Sequence, residues 1–410
     1  MRIGEISKLT GVNIPTIRYY ISIGLIVPDQ SGSQFFFNED DVASLNTITK
    51  FKNWGFKLND IHRILTLKRI STGVESEEYG DYISLLFDHK RTLLDERSKI
   101  QQSIDEIDAE ISSRGETSFS DKCSGLPLKM LDMTACPICG ETLGIKDADM
   151  NIRHIYSGTL HCRCGFHAEI RNGIIYMPEN ESKEHDKPDI NRDVYRSCPN
   201  ELMSLIQRSY NWMSTEIHLL PAVRNRVVME THLNSFFYLY KNFKYLNPDD
   251  IFIIQDKFPE VVELYKKYID RIQGGLDIMY IASDSLHLPL KSGCVDLLID
   301  YNSTNEHAIF SDTFYPSRMR PFLKKDAYLV GTYFYFQPMS KSLKQLRESY
   351  PRNQAANYTH DYFFNNISND YKLIKQKPLG YSTDSGEGLT FSFHKTDDKL
   401  FMNCYAAKAK

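Results

Sequence analysis

Four cysteines in two pairs are the residues of this 410-residue chain whose types and spacing most clearly indicate chemistry. Cys136 and Cys139 form a CxxC pair, Cys162 and Cys164 form a CxC pair, and a glycine follows each pair. Thiolates held in two turns can close a tetrahedral shell around zinc, and four sulfurs leave no position open for a substrate. The pattern therefore predicts a structural zinc site in a small ribbon.

The sequence leaves the fourth zinc ligand open. His161 and His167 flank the second pair, so either could replace Cys164. A redox pair or plainly buried cysteines are the other interpretations. Eight cysteines in the whole chain are too few for a disulfide scaffold.

Acidic residues also end some of the apolar runs in the second half of the chain. The runs lie at 225–230, 250–256, 276–284, 294–301 and 327–336. Apolar runs separated by helical stretches predict buried parallel strands in a doubly wound sheet, whose ligands bind at the carboxyl ends of the strands. Asp256 and Asp284 are expected at those ends.

The segments ASDSLHLPLKSGCVDLLID and RPFLKKDAYLVGT resemble class I S-adenosylmethionine-dependent methyltransferases. The resemblance implies that Asp256 binds the ribose hydroxyls of the cofactor and that Asp284 meets its adenine amine. The chain departs from the family after the first strand, where the stretch from Glu230 to Phe236 contains no glycine. Because a glycine-rich turn lets the backbone approach the cofactor, we expect S-adenosylmethionine binding to be lost.

An aromatic-lined pocket for a small organic molecule is predicted in place of the cofactor site. The polar residues assigned to the ligand or cofactor site are Glu230, Asp256 and Asp284. The aromatic residues expected near the strand ends are Trp212, Phe236, Phe237, Tyr238, Tyr240, Tyr301, Tyr333 and Tyr335. Packing of the aromatic rings in an ordinary core is the alternative. No catalytic residue is predicted, and the adjacent Glu306 and His307 are interpreted as a structural pair.

The first seventy residues have the pattern of two short helices joined by a tight turn. Gly11 ends a first short helix and Asn13 can cap a second one, which predicts a helix-turn-helix. Thr16, Arg18 and Tyr19 fall on or near the outer face of the second helix, where DNA is usually contacted.

The segments IGE, TGV, RYY and IGLI resemble the MerR family of transcription regulators, over about the first quarter of the chain. The resemblance implies that Arg18 and Tyr19 grip the DNA backbone. Phe37, in the stretch expected to form a two-stranded wing, is placed with them as a DNA contact, although this wing lacks the family's arginine. Residues 1–70 carry nine Lys or Arg and six Asp or Glu, a local charge of +3 in a chain of net charge −4.

A helix with an apolar stripe follows the DNA-binding head. The stripe consists of Leu86, Leu93, Ile100, Ile104, Ile107 and Ile111. Such a stripe predicts a coiled coil between two subunits, and packing on its own domain is the alternative. The MerR resemblance implies a homodimer on a palindromic promoter site in double-stranded DNA, with RNA polymerase as a further partner.

The sequence thus predicts a multidomain α+β protein that includes a doubly wound α/β domain. The expected domains are a winged helix-turn-helix at 1–75, a dimerisation helix at 80–113, a zinc ribbon at 130–178 and a methyltransferase-like effector domain at 195–410. We expect a ligand-responsive regulator. We also expect it to be cytoplasmic, because no stretch approaches the ~18 apolar residues that span a bilayer. An active methyltransferase carrying a DNA-binding head, and a sensor of the cofactor itself, are the alternatives.

Overall fold

The chain forms two compact units in its computed structural model. The described residues are 1–70, 77–115, 124–178, 187–196, 198–234, 236–272, 275–350, 355–386 and 393–410. The units comprise residues 1–116 and 117–410. Among the described helices, none is both long enough and apolar enough to cross a membrane.

The N-terminal unit contains a small helical head followed by one long helix. Its elements are α1 (Ile3–Thr10), α2 (Ile14–Ser22), β1 (Asp29–Ser31), β2 (Gln34–Phe36), α3 (Glu39–Asn53), α4 (Leu58–Ile70) and α5 (Glu77–Gly115). Gly11 ends α1 in the left-handed conformation, and the Asn13 side chain caps α2 by accepting the Thr16 N–H at 2.9 Å. The antiparallel strands β1 and β2 form the wing. The predicted winged helix-turn-helix is therefore confirmed.

The long helix α5 packs on the head only near its start. The His89 ring lies 3.8 Å from the Phe56 ring, and His89 Nε2 contacts the carbonyl oxygen of Trp54 at 2.7 Å. Farther along α5, the apolar side chains of Leu93, Ile100 and Ile107 are exposed.

One mixed sheet runs through the C-terminal unit. Its strands are β3 (Leu126–Pro127), β4 (Gly144–Met150), β5 (His154–His161), β6 (His167–Arg171), β7 (Ile174–Tyr176), β8 (Val227–Thr231), β9 (Ile251–Asp256), β10 (Asp277–Ala282), β11 (Val295–Tyr301), β12 (Leu323–Tyr335), β13 (Tyr371–Ser382) and β14 (Leu400–Ala409). The helices are α6 (Asp193–Arg196), α7 (Asn200–His218), α8 (Tyr238–Asn242), α9 (Pro259–Arg271), α10 (Ser303–Phe310), α11 (Tyr315–Met319), α12 (Lys341–Ser349) and α13 (His360–Asp370). Short 3₁₀ helices lie at Leu128–Met133, Phe243–Tyr245 and Arg320–Phe322.

The strand order identifies the fold of this unit. Across the sheet the order is β13-β14-β12-β11-β8-β9-β10-β7-β6-β5-β3, with β4 paired to β5. Strands β8 to β12 are parallel and lie in the doubly wound order 3-2-1-4-5, and the antiparallel β14 separates β12 from β13. The predicted methyltransferase-like fold class is therefore confirmed.

Helices cover both faces of the parallel strands. Val228, Phe252 and Leu297 point to the face that packs against α7 and α9. Met229 and Ile253 point to the opposite face, which packs against α11 and α13. The alternation of side chains along each buried strand builds these two apolar layers.

The ribbon that carries the four cysteines is part of the same sheet. Strand β7 pairs in parallel with β10, placing Ile174 beside Tyr280, and an isolated bridge joins Thr134 to Leu290. The sequence prediction separated residues 130–178 from 195–410. The structure joins these segments because the apolar β7 buries its residues against the edge of the parallel strands.

Candidate functional site

The outer side of α2 faces solvent. Arg18 is exposed and Tyr19 is 52% exposed, whereas Ile17 and Tyr20 are buried on the other side of the helix. Thr16 is half-buried, and its N–H is occupied by the Asn13 cap. The cap fixes where α2 begins, so it also fixes the direction in which Arg18 and Tyr19 point. Their contact with DNA stays a prediction.

Phe37 was assigned wrongly as a DNA contact. Its side chain is 4% exposed and packs in the apolar core of the head, and its N–H donates to the carbonyl oxygen of Met1 at 2.9 Å. The wing ring that reaches solvent is Phe36. Successive residues of an extended strand point to opposite sides, so an error of one position exchanges the buried and exposed rings.

The four predicted cysteine ligands meet in the ribbon. Their Sγ atoms all lie within 4.8 Å of one another. The Sγ atoms of Cys136 and Cys164 are 3.4 Å apart, as are those of Cys139 and Cys162. A tetrahedron with metal–sulfur bonds of about 2.3 Å separates its sulfurs by about 3.8 Å. The donor set and spacing therefore fit a tetrathiolate metal site.

The structure places Cys164, rather than a histidine, with the other three sulfurs. The His167 ring instead turns toward the backbone, with Nδ1 3.4 Å from the carbonyl oxygen of Gly165. Gly140 and Gly165 adopt left-handed φ angles of 78° and 98° directly after the cysteine pairs. These glycines let each turn close tightly enough to aim two sulfurs at one point.

Glu230, at the carboxyl end of β8, is fully buried and bonded to the chain's own backbone. Its two oxygens accept the N–H groups of Tyr238 at 2.7 Å and Leu239 at 2.9 Å. Burial raises the pKa of Glu230 to about 8, although both amide bonds oppose the shift. The carboxylate therefore holds the start of α8.

Asp256 occupies the equivalent end of β9 and is also fully buried. One oxygen accepts the Phe258 N–H at 2.9 Å and the other accepts the Asn234 N–H at 3.0 Å. Burial raises the pKa of Asp256 to about 7. The resemblance implies that Asp256 binds a ribose, but one of its oxygens binds the loop that follows β8 and the other binds the backbone directly after β9.

That loop is held from its other side by the segment after the ribbon, which the sequence did not identify as part of the site. The Asp189 N–H donates to Asn234 Oδ1 at 2.7 Å, and Arg192 Nη1 donates to the Asn234 carbonyl oxygen at 2.7 Å. Long-range polar contacts of this kind have no periodic signature in a sequence. Asn234 is thus clamped between Asp256 and the segment 187–192.

His232 takes the conformation for which a glycine is normally required. Its φ is 57°, so His232 is the left-handed residue among the described residues of this loop. The buried His232 ring lies 5.3 Å from the His307 ring and 5.6 Å from the Tyr315 ring. Burial, together with the nearby His307, lowers the pKa of His232 well below its usual value. The loop therefore fills the space beside β8 with a neutral ring.

The remaining predicted ligand residues do not join an open pocket at these strand ends. Trp212 and Tyr301 are buried in the core between the sheet and α7, where the Tyr301 hydroxyl contacts the Ile206 carbonyl oxygen at 3.4 Å. Asp284 is half-buried beyond β10. His307 Nε2 lies 2.8 Å from Thr313 Oγ1.

Known proteins resemble the two parts of the chain separately. Residues 1–68 match the family model described as MerR HTH family regulatory protein. The HTH-type transcriptional regulator HmrR of Rhizobium leguminosarum bv. viciae is 32% identical over 112 residues, which cover 27% of this chain and 73% of that protein. The chain belongs to the MerR family.

Another curated relative is matched over less of its length. HmrR of Sinorhizobium medicae (strain WSM419) is 37% identical over 79 residues, covering 19% of this chain and 54% of that protein. The chain thus spans about half the length of that curated relative. A solved structure of geranyl diphosphate C-methyltransferase from Streptomyces coelicolor A3(2) aligns with a TM-score of 0.39 and 12% identity, over 56% of this chain and 89% of that one.

Replacing Cys139 by Ser should remove bound metal from the purified MerR-family protein, because three sulfurs and a hydroxyl hold a soft cation poorly. The metal content per chain, measured by atomic emission, reports the loss. The matched control is Cys294→Ser, since Cys294 is a half-buried cysteine outside the cluster. Full metal content in the Cys139→Ser protein would contradict the assignment.

Raising the pH should destabilise the C-terminal unit through Glu230. The folded state holds the Glu230 proton with a pKa of about 8, above the ordinary glutamate value of 4.5, so its contribution to stability is present at low pH and disappears as the pH rises through 8. The free energy of unfolding of the natural chain, relative to Glu230→Gln, should therefore fall between about pH 5 and about pH 9.

Urea unfolding followed by tryptophan fluorescence measures this difference. The chain has two tryptophans, and Trp54→Phe leaves Trp212 as a reporter of the C-terminal unit in both proteins. A relative stability that stays level or rises with pH would show that Glu230 is not desolvated in the folded protein.

Proposed function

We propose that the protein is a transcriptional regulator that binds promoter DNA as a homodimer and senses a small organic molecule through its C-terminal unit. Exposure of Arg18 and Tyr19 on the capped helix α2 is the observation that carries the DNA-binding part. A guanidinium and a phenol on one helix surface suit phosphate contacts. Membership of the MerR family supports RNA polymerase as a second partner and a cytoplasmic location beside the chromosome.

The exposed stripe of α5 supports the dimer. Leu93, Ile100 and Ile107 follow one another at intervals of seven residues, and Ile100 is 61% exposed. Ile104, four residues after Ile100, is also exposed. A heptad stripe of this kind is covered when a second helix packs against it. Two heads in one dimer also add their phosphate contacts, which compensates for the small positive charge of each head.

Loops close the crevice at the carboxyl ends of the parallel strands, and this supports a sensor rather than an enzyme. Glu230 and Asp256 bind the chain's own amides, and His232 fills the place of the glycine-rich turn. The thiolate centre, far from these residues in sequence, fits a structural zinc ion with no open coordination position. The doubly wound strand order favours the second candidate, an active methyltransferase with a DNA-binding head.

Replacing Arg18 by Ala tests the DNA-binding proposal. Affinity for a duplex selected by the protein from a random pool should fall by about tenfold or more, and the salt dependence of binding should weaken by about one ion per subunit. Fluorescence anisotropy at several salt concentrations measures both quantities. Arg91→Ala is the matched control, because Arg91 is an exposed arginine on α5 in the same unit. Equal affinities of the two variants would refute the proposed contact.

Titration with S-adenosylmethionine separates the sensor from the methyltransferase. Calorimetry of the full chain should register no binding heat, because the cofactor would have to displace Asn234 and the segment 187–192 that is bonded to it. Tight binding, followed by methyl transfer to an added RNA or organic acceptor, would favour the enzyme instead.

A further inference from the structure

A cavity of about 950 Å³ lies in the C-terminal unit, at the opposite ends of the strands from the closed crevice. Its floor is formed by Val228, Phe252, Leu297 and Ile299, which come from three adjacent strands. Its other lining residues include members of the second half of α7, the loop before β8 and the segment 245–250. Because these segments precede β8 and β9, the cavity opens near the amino ends of those strands.

The size and the floor of the cavity suit a small organic molecule. Sites for such ligands commonly enclose about 300–1,000 Å³ and are mostly apolar with a few polar groups. The floor here consists of aliphatic and aromatic side chains, and polar groups from Asn211, Thr215 and Asn242 stand in the walls. The described volume and lining therefore match a single drug-sized ligand rather than an ion.

The charges of the lining favour an uncharged ligand. Among the described lining residues, the cationic Arg226 and the acidic Asp250 offset one another, and the other ionisable side chains, His218 and three tyrosines, carry no permanent charge. Burial raises the pKa of Asp250 despite the opposing charge of Arg226. A ligand with a net charge would find no excess of the opposite sign in the lining, and it would lose its hydration on entering.

Aromatic and aliphatic side chains stand open to solvent at the mouth. Tyr245 is 86% exposed and Leu219 is 68% exposed, and Val223 beside them is also exposed. The rings of Tyr210 and Tyr238 lie 5.3 Å apart in the wall, and the Tyr238 hydroxyl donates to Ser214 Oγ. A bound ring system can contact this tyrosine pair and bring the exposed apolar groups out of water.

We infer that this cavity binds an uncharged, largely apolar organic molecule that contains rings, and that such a molecule is the effector of the regulator. The effector role rests on the proposed function, whereas ligand binding by the cavity does not. Of the residues predicted for the ligand site, Tyr238 lines the cavity, whereas Trp212, Glu230, Asp256, Asp284 and Tyr301 lie outside its described lining. The cavity is therefore separate from the closed crevice at the carboxyl ends of the strands.

Nile red, a neutral ring compound whose emission rises in apolar surroundings, is the probe for this inference. The full chain should bind it saturably, at about one dye per chain. Thr215→Trp places a large side chain in the wall and should weaken dye binding by about tenfold or more. Ser204→Trp is the matched control, because Ser204 is exposed on the same helix but lies outside the described lining.

Val223→Trp fills the cavity from the loop before β8 and provides a second variant if Thr215→Trp fails to fold. Equal dye affinity in the filled variants and in Ser204→Trp would overturn the inference, as would the absence of dye binding to the natural chain. DNA binding measured on the same samples tests the proposed regulator function independently of dye binding. If the filled variants lose dye binding but DNA binding does not depend on Arg18, the cavity remains a binding site and its effector role is rejected.

Discussion

Three buried carboxyl groups at the carboxyl ends of adjacent parallel strands fix the loops that follow these strands in the C-terminal unit. Glu230, Asp256 and Asp300 have lost their hydration, so each must find hydrogen-bond donors within the protein. Glu230 and Asp256 take backbone N–H groups, and Asp300 takes the N–H and hydroxyl of Thr304 and the hydroxyl of Tyr405. The loops after these strands are fixed by this requirement, and they close the crevice that an open sheet of this type normally offers to a ligand.

The free energy of these contacts determines whether the crevice can open to admit a ligand. Exposing the crevice would break the bond from the Asn234 amide to Asp256 and the contacts of Asn234 with Asp189 and Arg192. Hydrogen bonds of this kind contribute about 1 kcal/mol each, or about 1.5–3 kcal/mol when one partner is charged. A micromolar ligand gains about 8 kcal/mol in total. Opening would therefore consume much of the binding free energy, whereas the cavity at the amino ends requires no such rearrangement.

Local signals explain which parts of the structure the sequence could predict. The glycine and asparagine around α2, the cysteine spacing and the apolar runs each act within a few residues, so the head, the sulfur cluster and the parallel strands were foreseeable. The burial of Phe37 depends on which residues of the short wing strand point to the core, and a shift of one residue reverses that assignment. The docking of residues 187–192 on Asn234, and the inward turn of Asp256, depend on contacts between distant segments, which composition and periodicity do not encode.

The pairing of β7 with β10 also protects the protein from self-association. Without the ribbon, β10 would be the last strand of the parallel sheet, and its apolar residues Ile278–Ala282 would present a row of unpaired amides and carbonyls. Exposed edges of this composition are templates for strand addition from another chain. A metal held by the four thiolates would keep the ribbon in register and this edge covered, so its removal by chelation would expose the edge of β10 to strand addition from another chain.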